Sequence, residues 1–502
     1  MTALATAATL RRRDPGWDFA GEATKRLTHA LHPYPAMMIP QVAARLVASL
    51  SQPGGLVLDP FSGSGSVVLE AVAAGRNAIG IDLNPLAVLI ARAKTTRLSE
   101  DALADAFGGI EKRLPALLAA PPPPPPVPRL EFWFKPTVIP TLSALREAVL
   151  AVDGPGRDVA LVTLSEVIRF ASNTRASEFK LYRYEPERLA RHNPDPLALF
   201  RERADRNRAL VAALPPLAPA RLCLADSRIP LPGLAAGSVD AVITSPPYGD
   251  SRTTVAYGQF SRLSAQWLGV AGDRDLDRLL LGGAPAAGSS RPASPSLDAA
   301  LDAIAGRDGG RAAEVERFYV DLIPCLTEIA RVLRPGASAA LVVGNRRVKD
   351  VQIPTDLILA DLAVPFGLAA REVIVRRIPT KRMPSRNSPS NVPGAVAETM
   401  SHEFILLLDR AEPAAALGGD QVLERRFDDQ GVERPRLEDG RVDQREAGLF
   451  LVASNPVERS LDVASQGRNV EHFGGDGVAQ DAILVGDHPH SADAIAQRSP
   501  VL

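Results

Sequence analysis

The sequence predicts an α/β protein: a mixed, mostly parallel sheet flanked by helices and interrupted by a helical insertion. Three observations carry that expectation. Residues 24–110 alternate short apolar runs with helix-length patterns, as parallel βα units do. Six consecutive prolines, Pro121 to Pro126, form a stiff extended segment that neither a helix nor a central strand can contain. Beyond them, residues 130–215 read as helices, and strand patterns return only near residue 220. With 502 residues and 46% hydrophobic content, the chain can build one large α/β core and still carry the insertion.

Taken in order, GLVLDP (55–60) reads as a strand, SVVLEAVAAG (66–75) as a helix, NAIGID (77–82) as a strand and PLAVLIARAK (85–94) as a helix. The insertion holds three helical patterns, over 139–152, 159–173 and 197–214. RLCLADS (221–227) and SVDAVITSPPY (238–248) resume the strands. Residues 270–312, rich in Gly, Ala, Ser and Pro, read as a mobile loop. A helix over 314–333, a strand over 337–345, a helix over 354–367 and two strands over 371–378 and 402–409 complete the sheet. The segment 411–502 has no sustained periodicity and is expected to be a disordered, acidic tail.

The net charge of -1 conceals an asymmetry. After residue 410 there are 17 Asp and Glu against 9 Lys and Arg, which leaves 48 Lys and Arg against 41 Asp and Glu before it. A modestly basic body suits a polyanionic partner, and equally an ordinary charged surface. Cys223 and Cys325 are the only cysteines, far apart and in no ligand spacing, so neither a disulfide framework nor a metal site is expected. No apolar run reaches membrane-spanning length, and the cluster Arg11-Arg12-Arg13 follows the mildly apolar start instead of preceding it. A soluble cytoplasmic protein without membrane attachment is expected.

The chemistry begins in LDPFSGSGSVVLEA (58–71). A strand ends at Asp59, and Pro60, Phe61 and the turn Gly63-Ser64-Gly65 lead directly into a helix. Small residues let a ligand approach the backbone, and the helix N-terminus offers free N–H groups to an anionic group. One strand later, GIDLNP places Asp82 at a carboxyl end, where a carboxylate can accept both hydroxyls of a ribose. A nucleoside-containing cofactor follows. A dinucleotide fingerprint needs a third glycine three residues after Gly65, and Val68 stands there. The stretch instead resembles motif I of S-adenosyl-L-methionine-dependent methyltransferases.

A second stretch, AVITSPPYG (241–249), breaks a buried strand with two prolines, so its last carbonyls must face something outside the sheet. Ser245-Pro246-Pro247-Tyr248 resembles motif IV of enzymes that methylate exocyclic amino groups of nucleobases, whose first residue is Asp, Asn or Ser. Chemistry explains the residue types. An aromatic amine is a weak nucleophile because its lone pair is delocalised. Hydrogen bonds from its two N–H groups to Ser245 Oγ and the Pro246 carbonyl would favour a pyramidal nitrogen, Pro247 would hold that carbonyl's direction, and Tyr248 would stack the extracted base.

The resemblance to bacterial site-specific DNA methyltransferases of the amino-group (cytosine-N4 or adenine-N6) family covers most of residues 24–410. It implies a Rossmann-like fold with a seven-stranded sheet, S-adenosyl-L-methionine as cofactor and double-stranded DNA as substrate, with a restriction endonuclease as a conceivable partner. It implies a cofactor-binding half over 24–110, the insertion over 121–215 as a candidate for target recognition, and a catalytic half over 216–410. LHPYPAMMIPQVAARLV resembles motif X, which would set His32, Tyr34 and Pro35 beside the cofactor. Asp226 in LCLADS corresponds to the motif III acid near the adenine, with a loop-capping role as the alternative. The basic loop RRIPTKRMPSRNSPSN offers Arg376, Arg377, Lys381, Arg382 and Arg386 to DNA, and the insertion offers Asn173, Arg175, Lys180 and Arg183. Pro324-Cys325 matches the nucleophile pair of cytosine carbon-5 enzymes, but it lies within a helical pattern, where Cys325 reads as packed core. Serine in the first motif IV position favours cytosine N4. Adenine N6, guanine N2 of RNA, and an inert nucleic-acid-binding protein stand as alternatives.

Overall fold

The computed structural model describes residues 7–176, 178–231, 233–249, 254–270, 276–283, 291–379 and 400–412, together with the strand pair Arg386–Asn387 and Ala397–Glu398. The chain divides into two units, Met1–Gly419 and Asp420–Leu502. The second unit lies outside the described residues, as does nearly all of the expected acidic tail.

Eight strands form the central sheet: β1 (Arg11–Arg13), β2 (Leu56–Asp59), β3 (Asn77–Asp82), β4 (Ala220–Leu224), β5 (Val239–Thr244), β6 (Leu333–Val343), β7 (Leu368–Arg377) and β8 (His402–Arg410). Their order is β1-β7-β8-β6-β5-β2-β3-β4. Strand β8 runs antiparallel to β6 and β7, and every other pairing is parallel. The order reverses between β2 and β5, so the carboxyl ends of these two strands diverge into a crevice, where open α/β sheets bind ligands.

Successive side chains alternate between two cores. Val57, Ala78, Ile243 and Ala340 face helices Pro40–Leu50 (α1) and Ser66–Ala73 (α2). Leu58, Ile79, Val242 and Leu341 face the helices that follow β5 in the chain. The insertion builds a third core. Its helices Ile139–Leu150, Arg157–Ala171 and Pro196–Ala212 share that core with Leu86, Leu89 and Ile90 of Pro85–Thr95 (α3), and with Phe260, Leu263 and Trp267 of Tyr257–Leu268. The insertion is thereby held against the helix that closely follows the Ser-Pro-Pro-Tyr stretch.

Two expectations are corrected. Among the described residues the sheet has eight strands, not seven: Arg11–Arg13 adds an edge strand beside β7. Three arginines carry no apolar alternation, and the strand holds because carboxylates meet them, Asp356 for Arg11, Glu372 for Arg12 and Asp18 for Arg13. The span 270–312 is not one loop. It contains the helix Pro295–Ala305, whose N-cap Ser294 accepts the Leu297 amide at 3.1 Å and whose Leu297, Leu301 and Ile304 are buried. Leu276–Leu279 adds a short helical turn.

Candidate active site

The crevice is built from the end of β2. Pro60 stops the strand, and Gly63 and Gly65 take left-handed backbone angles, φ +50° and +79°. At Gly65 a Cβ would stand 2.8 Å from Ala91 Cβ, so only glycine lets the loop lie on α3. The loop is tied to β3: the Ile81 carbonyl accepts the Ser62 amide at 2.9 Å, and Asp82 Oδ2 accepts the Gly63 amide at 2.8 Å. Asp82 Oδ1 accepts the Asn84 amide, also at 2.8 Å. Asn84 then caps α3 through Leu86 N and donates to Tyr34 Oη (3.1 Å) and Ser261 Oγ (2.7 Å), joining the loop of residues 32–38 to the site.

Tyr34, Pro35, Asp59, Pro60, Phe61, Gly63, Ser64, Asp82, Asp226, Ser245 and Pro247 line one pocket, with about 900 Å³ of empty space including its open mouth. Burial pushes Asp82 up to about 6 and Asp59 up to about 7. Ser62 Oγ, on the same wall, is buried without a hydrogen-bond partner among the described residues. A pocket with an unpartnered hydroxyl, a desolvated carboxylate on its wall and a glycine turn at a helix N-terminus fits a sulfonium nucleoside with an amino-acid tail.

The opposite lip comes from β5. Thr244 Oγ1 donates to Asp59 Oδ1 at 2.6 Å, locking the ends of β2 and β5 together. Ser245 follows at once. Its Oγ donates to Tyr248 Oη at 3.4 Å, and Tyr248 Oη donates to Glu403 Oε1 at 3.2 Å. Burial and the nearby Glu403 push the Tyr248 phenol well above its usual range, so it stays a donor. Arg376 ion-pairs with Glu403 and donates to the Trp17 carbonyl at 2.7 Å. This run of donors turns the Ser245 proton away from the pocket and leaves its lone pairs available.

Several sequence-predicted residues stand elsewhere. His32 is buried off the pocket wall: its Nδ1–H donates to the Pro33 carbonyl at 2.6 Å, Nε2 accepts from Ser165 at 3.0 Å, and burial lowers its pKa to about 4. It fastens the motif X loop to the insertion. Arg376 is 2% exposed and committed to Glu403, so the expectation of a DNA contact there is corrected. The same holds for Asn173, also 2% exposed, whose Nδ2 donates to the Phe132 carbonyl. Arg183 is half-buried, donates to that carbonyl and lies over the Phe132 ring. Arg377 is exposed, and Arg175 and Lys180 are half-buried, Arg175 pairing with Glu185. Lys381 and Arg382 lie outside the described residues, and Arg386 is described only through its strand pairing with Glu398. Asp226 lines the pocket and clasps Arg228 with both oxygens. Cys325 sits within helix Gly309–Val332 on the pocket wall, and burial pushes its thiol up to about 12, away from the thiolate form.

Sequence reasoning passed over Asn84, Thr244, Glu403 and Lys94. Lys94 is fully buried and donates to Ser64 Oγ at 3.0 Å. Asn84 carried a visible signal, an Asn-Pro helix start. The others act through contacts between distant segments.

Residues 10–93 match the N6/N4 methyltransferase family, described as DNA methylase. The type II methyltransferase M.MvaI of Kocuria varians is 37% identical over 420 residues, covering 78% of this chain and 92% of that protein. The type II methyltransferase M.MjaII of Methanocaldococcus jannaschii is 37% identical over 84 residues, 16% of each chain. Among solved structures, TrmN of Thermus thermophilus is 14% identical with a TM-score of 0.27, over 77% of this chain and 53% of that one. Fold and site define a Rossmann-like methyltransferase that uses S-adenosyl-L-methionine. Within that class, the chain belongs to the bacterial amino-group DNA methyltransferases, the N6/N4 family.

Proposed function

We propose that the protein methylates the exocyclic N4 of cytosine at a specific sequence in double-stranded DNA. The observation that carries this reading is Ser245, which follows β5 directly and lines the pocket beneath the glycine loop, with its hydroxyl proton engaged by Tyr248. An acceptor-only oxygen is what an amine donor requires. Ser245 Oγ and the Pro246 carbonyl accept the two amine protons, which withdraws the nitrogen lone pair from the ring. Asp82 holds the ribose hydroxyls, and Ser62 and the Gly63-Ser64-Gly65 turn hold the amino-acid end. When bound, S-adenosyl-L-methionine supplies the electrophilic methyl group.

In this reading the target nucleotide leaves the duplex before reaction to bring its amine to Ser245. Arg377 and the segment that carries Arg175 and Lys180, closed by the antiparallel bridge Thr174–Arg183, supply phosphate contacts in this reading. Phe179 and Tyr182, 41% and 49% exposed on that segment, offer flat faces to nucleotides. A restriction endonuclease of the same specificity would be the natural partner of such an enzyme.

The test is direct. Duplex DNA or, in a parallel reaction, transfer RNA is incubated with the protein and S-adenosyl-L-methionine labelled in its methyl group, then digested to nucleosides for mass analysis. N4-methylcytosine supports the proposal, N6-methyladenine replaces it with the adenine reading, and label in transfer RNA but not DNA overturns it.

A further inference from the structure

We propose that Lys94 is a positioning residue for the carboxylate end of the cofactor, acting through Ser64. The inference rests on this pocket being the S-adenosyl-L-methionine site. Lys94 lies near the end of α3 and is 0% exposed. Its Nζ donates to Ser64 Oγ at 3.0 Å and stands 3.8 Å from Met37 Sδ, and it forms no ion pair among the described residues. Ser64 and Met37 are both part of the pocket wall.

An ammonium buried without an anion is costly, and an anion placed beside it relieves that cost. The neighbouring charges do not supply one. Glu70 lies in the same region but is shared between His29, at 2.8 Å, and Arg26. Burial alone accounts for Lys94 falling to about 7.

Lys94 Nζ donates to Ser64 Oγ, so Ser64 directs its own proton elsewhere. Ser64 lies between Gly63 and Gly65 on the wall, so that proton is available to the pocket. The pair thereby presents a hydroxyl donor with a cation one bond behind it, on the side where the loop meets the N-terminus of α2. An anion bound there would complete the charge balance that the protein leaves open.

The full-length protein provides the test, with equilibrium binding of S-adenosyl-L-methionine compared with its decarboxylated analogue, which keeps the sulfonium and nucleoside but lacks the carboxylate. Wild type is expected to favour the carboxylate form by about tenfold or more, the scale of a hydrogen bond to a charged group. In Lys94→Met the preference should shrink to about twofold or less, with the analogue bound as before, and Ser64→Ala should narrow it too. A purely structural lysine would weaken both ligands alike and leave the ratio intact. An unchanged ratio in both variants, or no preference in wild type, overturns the proposal. If Lys94→Met does not fold, Ser64→Ala decides. Failure of wild type to bind S-adenosyl-L-methionine at all would instead overturn the reading of the pocket.

Discussion

Two carboxylates set the electrostatics of the pocket at the scale of single residues. Burial raises Asp82 from 3.8 to about 6 and Asp59 from 3.8 to about 7. A raised carboxylate pKa makes the ionised form a cost to folding, present above the folded value and absent below the ordinary one. In the proposed reading the gain for Asp82 comes with the ligand, because ribose hydroxyls would donate to the charged form. Affinity for S-adenosyl-L-methionine is therefore expected to fall as pH drops through about 6, by up to about tenfold per further unit. Titration calorimetry between about pH 5 and pH 8 checks this against Asp82→Asn, which should bind weakly at the upper end and show a flat profile. A flat wild-type profile would remove Asp82 from ribose binding. The residue types of this site were legible because strand, glycine turn and acid follow one another in the chain. The roles of Thr244, Glu403 and Lys94 were not: Thr244 meets Asp59, 185 positions away, only once the sheet has formed.

Elements whose partners are close in sequence were read well, and those that depend on distant partners were not. Helices α2 and α3 and strands β2, β3 and β5 follow from apolar periodicity. Arg11–Arg13 is a strand only because β7 and three carboxylates receive it, and Pro295–Ala305 hides in a span whose composition suggests a loop. Arg376 misled for a related reason: a basic residue at the end of a strand looks solvent-facing until Glu403 on β8 is seen beside it. The hidden helix gives an element-scale prediction. Ser294 Oγ accepts from Leu297 N and donates to Asp361 Oδ2 at 2.6 Å, both within the protein. Ser294→Ala should cost about 1–2 kcal/mol, and Leu297→Ala, which empties a fully buried site, about 2–5 kcal/mol. Urea unfolding midpoints measure both. Equal and negligible shifts would mean that this segment contributes nothing to the core.

At the scale of the whole molecule, the topology divides labour across one crevice. Residues up to Asp82 supply the proposed ribose acceptor and the glycine loop from β2 and β3, and the chain returns more than 130 residues later, through the crossover that carries the insertion, to deliver Ser245 from β5. The order of motifs was legible in the sequence. The placement of the insertion against Tyr257–Leu268 was not, because it is set by a shared core with Phe260 and Trp267. This division makes a separable prediction for Ser245→Ala: single-turnover methyl transfer to duplex DNA is expected to slow by about 10²-fold or more, while the dissociation constant for S-adenosyl-L-methionine stays within about threefold of wild type. An unchanged transfer rate, or a loss of cofactor binding as large as the loss of rate, would contradict the claim that the end of β5 works on the amine and not on the cofactor.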